Sequence, residues 1–198
     1  MSSIPAELEL AAPDWPTPSK GRVAMACLII AESSIFVIFI VAYLYYLGRD
    51  RFGPTPRQVL ELPIFSSICL LSSSATITLA LAALRRARSG QFRMWWLATI
   101  LLGAYFLLAT AREWRHLIYD KGLSIRTNLF GTTFYSLVGL HAFHVIAGLI
   151  MLLLVMGLAL RGAVKSEHAG RVSVLEIYWH FVDAVWVVVF SVVYVIGR

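Results

Sequence analysis

Long apolar runs alternate with short polar ones along most of the chain, and the alternation recurs five times, over residues 22–47, 62–84, 94–114, 129–160 and 174–196. Each run approaches or exceeds the roughly 20 residues that a helix needs to cross about 30 Å of hydrocarbon. A helix satisfies its own backbone polar groups in that medium, and an isolated strand does not. The pattern predicts an all-α integral membrane protein, a bundle of five transmembrane helices over residues 22–198, preceded by a polar tail over residues 1–21. The first twenty residues hold three acidic residues and four prolines. That is the opposite of the basic start of a signal peptide, and the prolines favour extended chain over helix.

The connections carry ordinary turn chemistry. GRDRFGPTPRQVLE separates the first two runs and is full of turn-formers. Pro63 is expected in the first turn of the second helix, where a missing N–H costs little. The second helix carries Ser74, Thr78 and Ala82 at i, i+4 and i+8, a face that lets helices approach closely, so packing is preferred over a polar conduit as the use of its hydroxyls.

Composition agrees with this reading: 59% of the residues are hydrophobic, 14% are charged and the mean hydropathy is +0.77. The net charge of +6 would suggest nucleic acid as a partner of a soluble protein. Here Lys and Arg lie mostly between the apolar runs, where they anchor helix ends to headgroups, and no nucleic-acid partner is expected. Counting them in alternate segments gives nine on the side of the N-terminal tail and eight on the other. The compact second loop, with Arg85, Arg86, Arg88 and Arg93 and no acid, favours a cytoplasmic N-terminus and an external C-terminus. Cys27 and Cys69 are expected toward opposite membrane faces, about 20 Å apart at 1.5 Å per residue, too far for a disulfide.

An ionisable side chain at the bilayer centre costs about 2.5–3.5 kcal/mol on insertion scales, so each needs a partner, a neutral state or a function. Glu32 falls about 15 Å into the first span. His141 and His144 are spaced i, i+3 in the fourth, and Glu176, His180 and Asp183 fall at i, i+4 and i+7 in the fifth, with Tyr178, Trp179 and Trp186 nearby. The depths of Glu32, His144 and Asp183 permit convergence. Three readings compete for these residues: a buried hydrogen-bond cluster holding helices in register, a lipid-facing or partner-facing polar site, and ligation of a metal or haem by His141 or His144 with His180. The sequence has no H-E-x-x-H, no G-x-S-x-G and no glycine-rich phosphate loop. Internal repeats and midplane Gly or Pro breaks of the kind found in transporters are not evident.

At these residues a resemblance emerges. YWHFVDAVWVVVFSVVY resembles the final helix of subunit III of haem-copper terminal oxidases, the cytochrome c and quinol oxidases. LIIAESSIFVIFIVAYLY, ELPIFSSICLLSSSATITLAL, LLGAYFLLATAREW and GTTFYSLVGLHAFHVIAGLIML resemble the four helices before it, in the same order. Longer members have two further helices ahead of these, so the chain is similar to a five-helix short form. The resemblance puts Glu32 at the family's buried carboxylate, Glu113 at the Glu ending the middle helix, His141 and His144 at the paired histidines, and His180, Asp183 and Trp186 on the last-helix motif. Ala142 stands where many members have Gly.

The resemblance implies a subunit with no haem, copper or catalytic residue of its own, with those cofactors in partner subunits. It implies packing on subunit I, proximity to subunit II, bound phospholipid, support of proton uptake and complex stability, and a bacterial cytoplasmic membrane location. An accessory subunit of nitric oxide reductase and a haem-binding membrane anchor are the alternatives.

Overall fold

The computed structural model describes residues 19–49 and 53–197. Residues 1–18 of the expected polar tail, three residues of the first loop and Arg198 lie outside the described residues. Five helices are long and apolar enough to cross a membrane. They are α1 (Lys20–Tyr46), α3 (Ile64–Arg85), α4 (Ser89–Tyr119), α5 (Leu129–Leu160) and α6 (Ala169–Phe190). A 3₁₀ turn, Ser166–His168, leads into α6, and a π-helical turn, Ser191–Ile196, continues it. The four-residue helix α2 (Pro56–Val59) interrupts the first loop.

The ends follow from local chemistry. Asn128 caps α5 by accepting the Gly131 N–H at 2.8 Å. Pro63 precedes the first helical residue of α3 instead of standing in its first turn, and the Ser67 N–H donates to its carbonyl. The turn between α3 and α4 is three residues long, with Ala87 in the left-handed region at φ 55° and the Arg88 N–H returning to Ala83 O. At the end of α5 the same left-handed position is held by Gly162, φ 75°, which adopts it without a Cβ penalty. The third span is longer than its apolar core: α4 runs through Arg112, Arg115 and His116, because a helix that has cleared the hydrocarbon continues into the interface while its charged face is hydrated.

α3 and α4 form a close antiparallel pair. α5 packs on α1, α4 and α6, and α6 packs on α1, α3 and α5. α1 is peripheral and largely apolar, with only Phe36 and Tyr43 buried, while Ile30, Val37, Ile38 and Val41 face outward. Trp179 of α6 is the central wedge. A Cβ added at Gly103 of α4 would lie 2.9 Å from its ring, and one at Gly148 of α5 would lie 2.8 Å from it. The indole therefore occupies space that two helices vacate by carrying glycine at the contact.

Hydrogen bonds tie α6 to α3 in register. Trp179 Nε1 donates to Ser73 Oγ at 2.7 Å, and Trp186 Nε1, two turns on, donates to Ser67 Oγ at 3.0 Å. Each serine passes its own proton to a carbonyl of its helix, Leu70 O or Pro63 O. Trp96 Nε1 donates to Leu152 O between α4 and α5, and Thr76 and Thr99 join their hydroxyls between α3 and α4. Lipid tails offer no partner for these groups, so pairing them between helices selects one arrangement of the bundle.

Candidate functional site

Three of the polar groups singled out from sequence come from near the midpoints of their helices: Glu32 on α1, His144 on α5 and His180 on α6. Glu32 and His144 meet, with Oε2 3.1 Å from Nε2. The other imidazole nitrogen lies 2.8 Å from Leu140 O, so Nδ1 carries a proton. A single proton then lies between Glu32 Oε2 and His144 Nε2, and the pair is net neutral whichever atom holds it. Phe36 covers the ring, centroids 5.0 Å apart, and the Tyr178 hydroxyl donates to His144 O.

Asp183 does not join this pair. It is buried and accepts the proton of Ser74 Oγ from α3 through Oδ2. Ser74 Oγ also lies 3.0 Å from His180 Nδ1. With the hydroxyl proton directed at Asp183, Nδ1–H donates to Ser74, and the order is imidazole, hydroxyl, carboxylate. Thr78 Oγ1 stands 3.3 Å from His180 Nε2 and Glu176 Oε1 stands 3.9 Å from it. The hydroxyls of the small-residue face thus do more than permit close packing: they bond the ionisable groups of α6, because α3 and α6 run antiparallel with these levels opposed.

The shared face of Glu176, His180 and Asp183 divides in three dimensions. Asp183 points inward, while the His180 side chain is 43% exposed and Glu176 lies between these extremes. His141 is fully enclosed, stacked on Trp186 with centroids 4.9 Å apart and meeting the edge of Phe106. Neither of its nitrogens has a protein partner among the described residues. His144 and His180 each have a partner near both nitrogens, and His141 is enclosed by Trp186 and Phe106, so no two of the three histidines offer free nitrogens to one axial site.

Glu113 forms a separate site toward the end of α4. Its Oε1 accepts from Tyr194 OH at 3.0 Å, a contact made by the π-helical end of α6. A cleft of about 250 Å³ beside it is lined by Glu61, Ser66, Tyr105 and Glu113. Tyr194, Glu61, Ser67 and Ser73 escaped the sequence reading. The repeat of Trp179 and Trp186 seven residues apart, opposite Ser73 and Ser67 six apart, was the available signal for the serines. Among the described residues no group of three or more His, Cys, Asp or Glu is placed to hold a metal ion.

These features define a polytopic α-helical membrane protein whose mid-depth polar groups are joined pairwise across helices. Its motifs belong to the third subunit of the haem-copper oxidases. A family model described as cytochrome c oxidase subunit III matches residues 19–198, and the chain belongs to that family. The chain is 33% identical over 168 residues to a cytochrome c oxidase subunit 3 of Alkalihalophilus pseudofirmus, covering 84% of this chain and 82% of the relative. It is 34% identical over 171 residues to a cytochrome bo(3) ubiquinol oxidase subunit 3 of Pseudomonas aeruginosa, covering 85% and 81%. A cytochrome c oxidase subunit 3 of Synechocystis is 36% identical over 184 residues, covering 90% and 77%. The resemblance read from the helix motifs is borne out.

Proposed function

We propose that this chain is an accessory, non-catalytic subunit of a haem-copper terminal oxidase, packed on the cofactor-bearing subunit I with subunit II in the same assembly. The observation that carries the proposal is the family match over residues 19–198, which includes every element of the bundle and every polar pair described above. Relatives named for cytochrome c and for ubiquinol oxidases are both similar to the chain, which supports a terminal oxidase fed by cytochrome c or by a quinol. Haems and copper reside in the partner subunits, where oxygen reduction takes place.

The Glu32–His144 pair and the His180–Ser74–Asp183 series support a role in holding helices, lipid and neighbouring subunits in a fixed arrangement. Bound phospholipid fits the outward apolar faces, and a stable mid-depth network supports proton uptake and lifetime of the whole complex. The cytoplasmic membrane of a bacterium is the proposed location. The arginine-rich turn between α3 and α4 supports a cytoplasmic N-terminus.

The test is gentle extraction through a tag on this chain, followed by an optical spectrum and a mass-spectrometric subunit list. Haem absorbance with a large polytopic copper-containing companion is the expected result. A colourless chain purified alone overturns the reading, and a nitric oxide reductase as companion redirects it.

A further inference from the structure

Asp183 is ionisable at a place where a neutral residue would serve the packing. Trp179 and Trp186, about one turn to either side of it on α6, already tie that helix to α3 through Ser73 and Ser67. Asp183 adds a carboxyl that is 3% exposed, with Oδ2 on Ser74 Oγ and with no protein partner at Oδ1 among the described residues. No Lys or Arg among those residues is ion-paired with it, and the Glu32–His144 pair between α1 and α5 stands apart. Beyond the Ser74 hydroxyl of α3 come His180 and Glu176 of its own helix. A buried carboxylate without a cation costs several kcal/mol, so a proton balances this one, either on the carboxyl or on the imidazole across Ser74.

The heavy atoms fit both places. Ser74 Oγ has one proton and touches two ionisable groups, Asp183 Oδ2 and, at 3.0 Å, His180 Nδ1. Thr78 gives its proton to Ser74 O at 3.0 Å, so its Oγ1 accepts the His180 Nε2 proton at 3.3 Å. With Nε2 protonated, Nδ1–H donating to Ser74 sets an imidazolium opposite a carboxylate. In the alternative the carboxyl O–H donates to Ser74, whose own proton goes to Nδ1, and both end groups are neutral. The second arrangement becomes the first when the Oδ2–H bond breaks as a new Oγ–H bond forms, and the old Oγ–H bond breaks as Nδ1–H forms. The hydroxyl ends as it began. The three groups together carry no net charge in either arrangement, so the exchange leaves no uncompensated charge in the low-dielectric interior.

From this we infer that Ser74 relays a proton between His180 and Asp183, making Asp183 a buried proton-holding site that exchanges through His180 and Glu176 with the membrane side at the start of α6. Counted from Ala169 at 1.5 Å per residue, Glu176, His180 and Asp183 lie about 10, 16 and 21 Å along the helix. They step inward from the side that carries the α3–α4 turn, since α3 and α6 run antiparallel. The His180 side chain is 43% exposed, which opens the outer end of the series, and Glu176 Oε1 stands 3.9 Å from Nε2, a gap that one bridging water closes. The inner end is held rigid by the two tryptophan bonds that flank it. The use of this site in proton uptake rests on the proposed function; the relay itself rests on the atoms of this chain.

Infrared spectra of the full chain in its native assembly, isotope-labelled at aspartate and transferred from H2O to D2O, follow the Asp183 carboxyl, and Asp183→Asn identifies its band. A protonated carboxyl band that exchanges its hydrogen is expected in the wild type. Ser74→Ala is expected to slow that exchange about a hundredfold, the lower end of what a positioned proton-transfer group contributes. Ser74→Thr, which keeps the hydroxyl, is expected to restore the rate, as a mere loss of packing would not explain. His180→Phe leaves Ser74 on Asp183 and is expected to slow exchange as Ser74→Ala does, so the result does not hang on the folding of one variant. Exchange that is unchanged or faster in either of these two variants assigns the carboxyl to packing alone and overturns the relay. So does the lack of a protonated Asp183 band at every pH at which the assembly stays intact. Failure here is distinct from failure of the proposed function: a haem-bearing complex whose exchange ignores Ser74 sinks the relay, whereas a chain that purifies without any haem subunit sinks the assignment and leaves the exchange measurement standing.

Discussion

Gly148→Ala is the most direct perturbation of the bundle. The new methyl would stand 2.8 Å from Trp179 Cζ3, 2.9 Å from Cε3 and 3.2 Å from Tyr178 Cε1. Trp179 has no easy retreat. Its opposite edge is met by Gly103, where an added Cβ would sit 2.9 Å from the ring, and its Nε1 is tied to Ser73 at 2.7 Å. Overpacking a close-packed interior costs about 1–3 kcal/mol, and a ring held on two sides puts this substitution near about 3 kcal/mol, or roughly two powers of ten in the folding equilibrium. The matched control is Gly157→Ala on the same helix, where nothing lies within 4 Å of the added atom and the change is expected to be neutral or slightly stabilising. Reversible unfolding of both variants in mixed micelles, followed by tryptophan fluorescence, provides the comparison. Combining Gly148→Ala with Trp179→Phe should recover part of the loss, because the smaller ring vacates the space the methyl needs. Equal stability of Gly148→Ala and Gly157→Ala would refute the wedge.

Other substitutions address single bonds. Ser73→Ala removes the acceptor of a buried indole N–H and should destabilise by about 1–3 kcal/mol in the same unfolding assay, far more than Ser72→Ala on the outward side of the same helix. Glu32→Gln keeps a donor for His144 Nε2 and should leave insertion and stability within about 1 kcal/mol of wild type, whereas Glu32→Leu strands a buried nitrogen and should cost about 1–3 kcal/mol; equal behaviour of the two would show that the pair does not hold α1 to α5. Tyr194→Phe withdraws the hydroxyl that donates to Glu113 and should loosen the end of α6, read as faster amide exchange over residues 191–196. Ala87→Gly relieves a left-handed alanine in the α3–α4 turn and should raise stability by up to about 1 kcal/mol, visible as a higher unfolding midpoint.

The number and order of the spans were legible in the sequence because hydrocarbon imposes a one-dimensional test: each segment must bury its own backbone hydrogen bonds over a fixed length. The family was legible for a related reason, since its motifs are local runs of residues within single helices. α2 and the extension of α4 past Trp114 were not, because a four-residue helix has no hydropathy period and charged residues at the interface obey no hydrophobic rule. Spacing alone placed Glu176, His180 and Asp183 on one face. Only packing decided that Asp183 turns inward to Ser74 while His180 remains at the surface.

The sequence by itself determined that Glu32, His144 and Asp183 lie at compatible depths, because depth is counted along each helix at a constant rise. It did not determine which of them meet. That depends on the rotation of each helix about its axis and on its neighbours, and both are selected by contacts between segments far apart in the chain: Trp179 between Gly103 and Gly148, Trp186 on Ser67 and against His141. Partner choice among equally deep polar groups is therefore a tertiary property, since a rotation of one residue, about 100°, carries a side chain from the interior of the bundle to its surface.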